Sequence, residues 1–370
     1  METSLTSPKS SLLLDAQKTL NAQFSDVLGW TMARTYSDPV QEHQTVRERV
    51  GLIDLSYYGV IKVGGQEAAQ FLNGLVTNDV KTLEAHAGMR AAFLTGHGKV
   101  RGLCRILRYQ DNFLIINDPQ THEKIFKYVF PFSYAGDFRV EDVSEQFRTL
   151  SLQGPKAAAV LKEISFEPVP SLAENYWVET IIGGHQVMVV RTSHTGEPGF
   201  DLLIPDSGLK DIWDFILLKG AFHGLAPVGL DALNALRIEA GIPVYGIDVD
   251  ESNMMLELGM TDAVSFSKGC YTGQEAVAMA TYRGHISKKL SGLLIEGDRV
   301  PAAGSKISKD GKEIGQVTSA TRSLSIGGVI ALAYLKYGYF DSGNQVQVQD
   351  ADGMMTARGI ELPFYQNLPS

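Results

Sequence analysis

Short apolar runs closed by glycine or aspartate turns, alternating irregularly with amphipathic helical stretches, constrain this chain more than any other feature. In "VRERVGLIDLSYYGVIKVGG", Val60, Ile61 and Val63 predict a strand and Gly64-Gly65 a turn; the following "QEAAQFLNGL" predicts a helix with Ala68, Phe71 and Leu72 on one face. "RAAFLTGHGKVRGLCRILRYQDNFLIIND" predicts two strands joined at Gln110-Asp111-Asn112, with a separate Gly-rich bend at "TGHGK". "VMVVRTSHTGEPGFDLLIP" predicts a second strand, polar loop and strand, and "KIFKYVF" and "PKAAAVLKEI" predict helices. The two strand-loop-strand blocks suggest an internal repeat that the residues alone do not demonstrate. Without the strict period of βαβ units, the expected class is α+β with mixed or antiparallel sheets. In "DALNALRIEAGIPVYG", Asp231 is positioned to cap a helix that Gly241 ends and Pro243 cannot continue. Past residue 285, short strands punctuated by Gly and Asp predict a small β-rich C-terminal domain. The expected division is a leader over 1–30 that docks or frays, a body over 31–285 and the β-rich domain over 286–370.

Composition narrows the function classes. The 370 residues are 44% hydrophobic and 20% charged, ordinary for a globular protein, and the net charge of -9 argues against a general grip on nucleic acid. Two cysteines, Cys104 and Cys270, make neither a disulfide framework nor a zinc-spaced cluster, so a reduced, cytoplasmic setting with no bound metal is expected. No segment approaches the roughly 18 uninterrupted apolar residues of a membrane span, and the N-terminal stretch has no basic region like that of a signal peptide.

The densest chemistry lies in "SFSKGCYTGQEAVAMATYRG", Ser265 to Gly284. Thr272 and Glu275 fit a capping box, which sets Cys270 just before a helix N-terminus whose partial positive charge favours a thiolate; Lys268 or Arg283 folding back onto the sulfur would add to it. The alternative is a buried, inert thiol in a tight loop. Lys268, Tyr271, Gln274 and Glu275 around one cysteine, with Gly269, Thr272 and Gly273 shaping the turn, are more polar groups than a spacer needs. Asp201, with Phe200, Tyr245 and Tyr271 as walls, would suit the donor edge and faces of a pterin, and Lys99, Arg101 and Arg105 its anionic tail, although each of these also has an ordinary structural reading.

"KGCYTGQE" followed by an aromatic residue and "RG" resembles the signature of the YgfZ family, folate-binding proteins related to the T-protein (aminomethyltransferase) of the glycine cleavage system. The resemblance runs on through "VRERVGLIDLS", "FLNGLVTNDV", "HTGEPGFDLLIP", "LRIEAGIPVYGIDVDE" and "GQVTSATRSLSIGGVIALAYL", some of them closer to the T-protein branch. It implies a three-domain cloverleaf around a central tetrahydrofolate channel, formed by residues 31–285 as two intertwined α+β domains, with a C-terminal β-barrel-like domain over 286–370. It also implies support of iron–sulfur enzymes, including those that modify tRNA, with Cys270, Lys268 and Tyr271 as the reacting group and Asp201, Glu197, Arg237 and Lys99 as folate contacts. Iron–sulfur client proteins are the expected partners, with no direct nucleic-acid contact. A single exposed cysteine is too few to hold a cluster, which usually takes four thiolates. One departure matters: Gly102 and Leu103 stand where the T-protein pattern has paired aspartates, and Leu233 where it has an arginine. That leaves three readings: an iron–sulfur maintenance factor, a folate-dependent aminomethyl or other one-carbon transferase, and a non-catalytic docking module stabilised by folate.

Overall fold

A computed structural model describes residues 8–282 and 286–367. The chain divides into two compact units, Met1–Val60 with Val143–Asn234 and Ile61–Asp142 with Ala235–Ser370.

The first unit is built on a six-stranded sheet in the order Trp177–Ile182, His185–Arg191, Gly199–Ile204, Arg148–Gln153, Val50–Asp54, Leu225–Val228. All its neighbours run antiparallel except the last pair, which is parallel. Helix Leu209–Gly220 buries Leu209, Ile212, Trp213 and Ile216, the i, i+3, i+4, i+7 stripe, into the same core as Leu150, Leu152, Leu202 and Ile204. Each such side chain contributes about 1.5–3 kcal/mol by leaving water. Residues 8–35 add helix Leu14–Thr19 and a small three-stranded sheet centred on Trp30–Thr35, and Leu13 enters the core fully buried. Ser11 and Gln17 both donate to the buried Asp54 carboxylate at 2.7 Å.

The second unit holds a five-stranded sheet ordered Gly88–Leu94, Val100–Tyr109, Asn112–Asn117, Gly59–Gly64, Arg139–Asp142, and a closed barrel. The barrel strands run in the order Lys288–Ile295, Gly328–Lys336, Lys312–Ser323, Lys306–Lys309, Gln345–Asp350, Gly353–Ile360, and the last pairs back with the first. Closure leaves no free sheet edge in that domain. The class is therefore α+β with mostly antiparallel sheets, as the strand spacing implied, and the closed β-barrel is the one that the family resemblance implied.

The suspected repeat is present and lies in the backbone. In each unit a strand runs into a glycine at positive φ, then a turn, an eight-residue helix and an isolated bridge: Gly65, Ala68–Leu75 and Val76 with Phe93; Gly154, Ala157–Ile164 and Ser165 with Ile182. One constant spacing in sequence relates every pair. Both glycines are obligatory, since a Cβ would lie 2.4 Å from the Asp137 carbonyl oxygen at Gly65 and 2.5 Å from that of Arg49 at Gly154. Strand order matches as well, with Val50–Asp54 as an extra strand in the first unit.

Helix Leu230–Glu239 starts two residues earlier than the capping role of Asp231 requires. Asp231 lies in its first turn and is ion-paired with Arg34 at 2.7 Å. Its end matches the expectation: Gly241 at φ +68° donates to Ile238 while Ile242 donates to Arg237, a Schellman closure before Pro243.

Candidate functional site

The Cys270 loop is held against the end of helix Ala68–Leu75. Ser265 N–H donates to Thr77 and Thr272 N–H to Gly74, while Lys268 Nζ donates to the carbonyls of Asn73, Val76 and Asn78 at 2.7, 2.8 and 2.7 Å. Asn73 and Val76 belong to the helix end, whose last carbonyls have no partner within the helix, at the negative end of its dipole, and Asn78 lies three residues beyond it, so a buried ammonium caps the helix and ties down the chain that follows. Burial pushes the Lys268 amine down to about 8, which leaves it protonated at neutral pH with all three N–H groups used. The expectation that Lys268 folds back onto the sulfur is thus corrected: it points into the protein, 5.0 Å from the centroid of the Tyr271 ring. Tyr271 is a core residue at 7% exposure, packed with Tyr245, Val264 and Val277. Gly269 and Cys270 are exposed. Helix Gln274–Tyr282 begins after Gly273 at φ +82°, so the residue before its first turn is Gly273 and not Thr272, the expected cap. Gln274 donates its N–H to Tyr271, and Glu275 is exposed. Arg283 lies outside the described residues.

Two distant motifs meet here. A Cβ on Gly273 would lie 2.6 Å from the Thr95 carbonyl oxygen, and one on Gly98 would lie 2.5 Å from Ala276 Cβ, so the "TGHGK" bend and the turn into Gln274–Tyr282 touch through glycine. Lys99 is half-buried and donates to the Ser252 carbonyl at 2.7 Å. His97 stands at a cavity of about 580 Å³ lined also by Met254, Glu257, Ala276, Met279 and Tyr337. Cys104 is buried, donates to the Ala91 carbonyl, and burial pushes its thiol pKa up, so it is no partner for reactive chemistry. Among the described residues no group of three or more His, Cys, Asp or Glu could hold a metal ion.

The first unit carries the carboxylate site. Asp201 is 3% exposed; its Oδ1 accepts from Ser151 Oγ at 2.7 Å, and both oxygens lie 3.0 Å from His194 Nε2. Glu197, whose alternative was a surface turn carboxylate, is instead fully buried and paired with Arg47 at 3.1 Å. Phe200 is a core residue.

The model for the GCVT N-terminal domain matches residues 13–268, and the model for the glycine cleavage T-protein C-terminal barrel domain matches residues 288–366. The chain belongs to the glycine cleavage T-protein family. An aminomethyltransferase of Caldanaerobacter subterraneus subsp. tengcongensis is 32% identical over 98% of this chain and 97% of its own; one of Moorella thermoacetica is 33% identical over 91% and 92%. The crystal structure of the glycine cleavage system aminomethyltransferase T from Bartonella henselae shares the fold, with a TM-score of 0.89 at 24% identity, covering 97% of this chain and 98% of that one. These relatives place the chain in the T-protein family at large; the narrower YgfZ assignment goes beyond them.

Within that family the lost aspartate pair has a structural counterpart. Gly102 is buried on strand Val100–Tyr109, and a Cβ there would meet Ile125 Cδ1 at 2.6 Å and Thr121 Cβ at 3.1 Å. Helix Pro119–Val129 has closed over the space an acidic side chain would take. Gly102→Asp is therefore expected to lower stability by about 2–4 kcal/mol, a buried carboxylate against isoleucine. Equilibrium urea unfolding checks this, and a variant as stable as the parent would show that the pocket opens.

Arg237 is the clearest correction among the proposed folate contacts. It is 5% exposed, with Nη1 on Asp248 Oδ2 and Nη2 donating to Ser319 Oγ at 2.7 Å. It ties helix Leu230–Glu239 to the barrel instead of facing a ligand, and Glu239 does the same through Ser323 at 2.5 Å and Ser325 at 2.8 Å. Sequence reasoning missed His194, Ser151, Gln153 and Arg47. The histidine stood beside the quoted Thr-Gly-Glu loop, but nothing local marked the other three.

Proposed function

We propose that the protein binds tetrahydrofolate and acts in folate-dependent one-carbon transfer of the aminomethyl type. The observation that carries this reading is the 32% identity to an aminomethyltransferase across 98% of the chain. In that reaction the aminomethyl group on a lipoyl thiol gives its carbon to tetrahydrofolate; the lipoyl sulfur leaves as a thiol, the nitrogen leaves as ammonia, and methylenetetrahydrofolate forms. The residues present suit such a ligand in one respect: the buried Asp201, Ser151 and His194 network offers fixed acceptor groups, which the N–H edge of a reduced pterin needs. Gly102 and Leu103 supply no carboxylate, so any proton handling at the folate nitrogen has to come from another group.

One observation favours a second reading. Cys270 is exposed on a loop anchored by a buried lysine, an arrangement suited to presenting a thiol. That supports a folate-dependent iron–sulfur maintenance factor of the YgfZ type, with Cys270 reacting and client enzymes as partners. Incubating the purified protein with tetrahydrofolate and an aminomethyl-lipoyl carrier protein separates the two. Formation of methylenetetrahydrofolate with equimolar ammonia, unaffected by Cys270→Ser, is the expected result. Folate binding without turnover, together with folate protection of Cys270 from alkylation, would instead favour the maintenance factor.

A further inference from the structure

The outer face of the barrel sets two lysines directly against each other. Strands Lys288–Ile295 and Gly328–Lys336 pair so that Lys288 lies opposite Lys336 and Leu290 opposite Tyr334. Residues opposite in a ladder share a face, as do residues two apart on a strand, so both ammonium groups and the Tyr334 ring emerge on one side. That side is outside the barrel, because Tyr334 packs with Ile330, Leu332 and Ile238 while Ala331, Ala333 and Leu335 fill the interior. Like charges set opposite on a sheet repel. The carboxylate paired with Lys288 is Glu257 at 3.9 Å, too long for a hydrogen bond, and Lys336 donates to the Glu313 carbonyl at 2.9 Å instead of to an acid.

Both lysines and Tyr334 line a cavity of about 380 Å³ whose facing wall is the loop of residues 246–253. That volume falls in the range of about 300–1,000 Å³ typical of small-molecule sites. Tyr334 is 8% exposed, yet among the described residues its hydroxyl has no hydrogen-bond partner. Burial pushes its pKa up, and the carboxylates of Glu257, Asp248 and Asp250 push it further, so the phenol stays a protonated donor. Those carboxylates are engaged elsewhere: Glu257 accepts from Met254 N–H and Ser287 Oγ, Asp248 from Arg237 and Ser319, and Asp250 from Ser252 N–H. Lys288 Nζ stands 4.7 Å from the centroid of the Tyr334 ring. A buried donor without an acceptor is costly, and two cations beside it favour an acceptor that carries negative charge.

We propose that this cavity binds a small metabolite through a carboxylate or phosphate group held by Lys288, Lys336 and the Tyr334 hydroxyl. The anion offsets the repulsion between the two lysines and supplies the acceptor that the tyrosine lacks. The inference does not depend on the folate reading.

Calorimetric titration of the full chain at constant ionic strength, with inorganic phosphate and with succinate as probes, tests it. Saturable one-to-one binding of at least one probe is expected, weakened about tenfold in Lys288→Met and in Lys336→Met. Tyr334→Phe is expected to weaken it about threefold or more while the unliganded protein melts no lower, because the hydroxyl removed has no bond to lose. Lys127→Met, which removes an exposed lysine from helix Pro119–Val129, is expected to bind like the parent. Binding of phosphate alone or of succinate alone upholds the site and identifies the group it takes. If the parent binds neither probe, or if the Lys288, Lys336 and Tyr334 variants all bind like the parent, the proposal falls. Equal weakening in Lys127→Met would mean a general effect of net charge and would also overturn it.

Discussion

Replacing Arg237 with methionine is expected to destabilise the protein by about 3–5 kcal/mol, because it strands a buried charge. Asp248 is 2% exposed and receives Arg237, the Val244 N–H at 3.0 Å, Thr318 Oγ1 at 2.5 Å and Ser319 Oγ at 2.6 Å. Burial pulls the arginine pKa down while Asp248 pulls it up, and a guanidinium stays charged at any working pH. The pair is therefore a full ion pair in low dielectric, where losing one partner costs far more than the pair contributes over an apolar substitute. Adding Asp248→Asn to Arg237→Met is expected to return part of the loss, since the amide is neutral yet keeps an acceptor for the hydroxyls. Urea unfolding of the single and double variants measures both. A single variant within 1 kcal/mol of the parent would mean that water reaches Asp248, contrary to its burial.

Lys268→Met is expected to cost about 2–4 kcal/mol and to free the loop that presents Cys270. Three carbonyls now satisfied by one ammonium would be left facing a thioether, two of them in buried bonds. Lys268→Arg is not expected to rescue the loop, because three converging acceptors match the tetrahedral donors of an ammonium and not a planar fork. Hydrogen exchange reads the local effect: protection of residues 265–272 should fall in both variants while the barrel strands keep theirs. Unchanged protection in Lys268→Met would show that the Thr77 and Gly74 backbone bonds hold the loop by themselves. The lysine was expected to serve the sulfur, but its bonds make it the anchor of the loop that bears the sulfur.

What the sequence by itself determined is the local grammar. Strand Val100–Tyr109, the turn at Gln110 with φ +54° and strand Asn112–Asn117 follow the alternation and turn residues, as do strands His185–Arg191 and Gly199–Ile204 and the Gly-punctuated barrel. These features depend on residues a few positions apart, so their signal is local. The exposed Cys270 loop was legible for the same reason, through its density of glycine and polar groups. Only the tertiary structure decided what the charged residues do. Lys268 finds carbonyls 190 to 195 residues away, Arg47 finds Glu197 150 residues away, and Arg237 finds Ser319 82 residues away. On a helix, Arg237 read equally well as a ligand contact or as one half of an internal salt bridge, and burial beside Asp248 settled its partner. The internal repeat was hidden for a related reason. Its two copies share glycine conformation, bridge spacing and strand order, properties of the backbone that many different side chains satisfy.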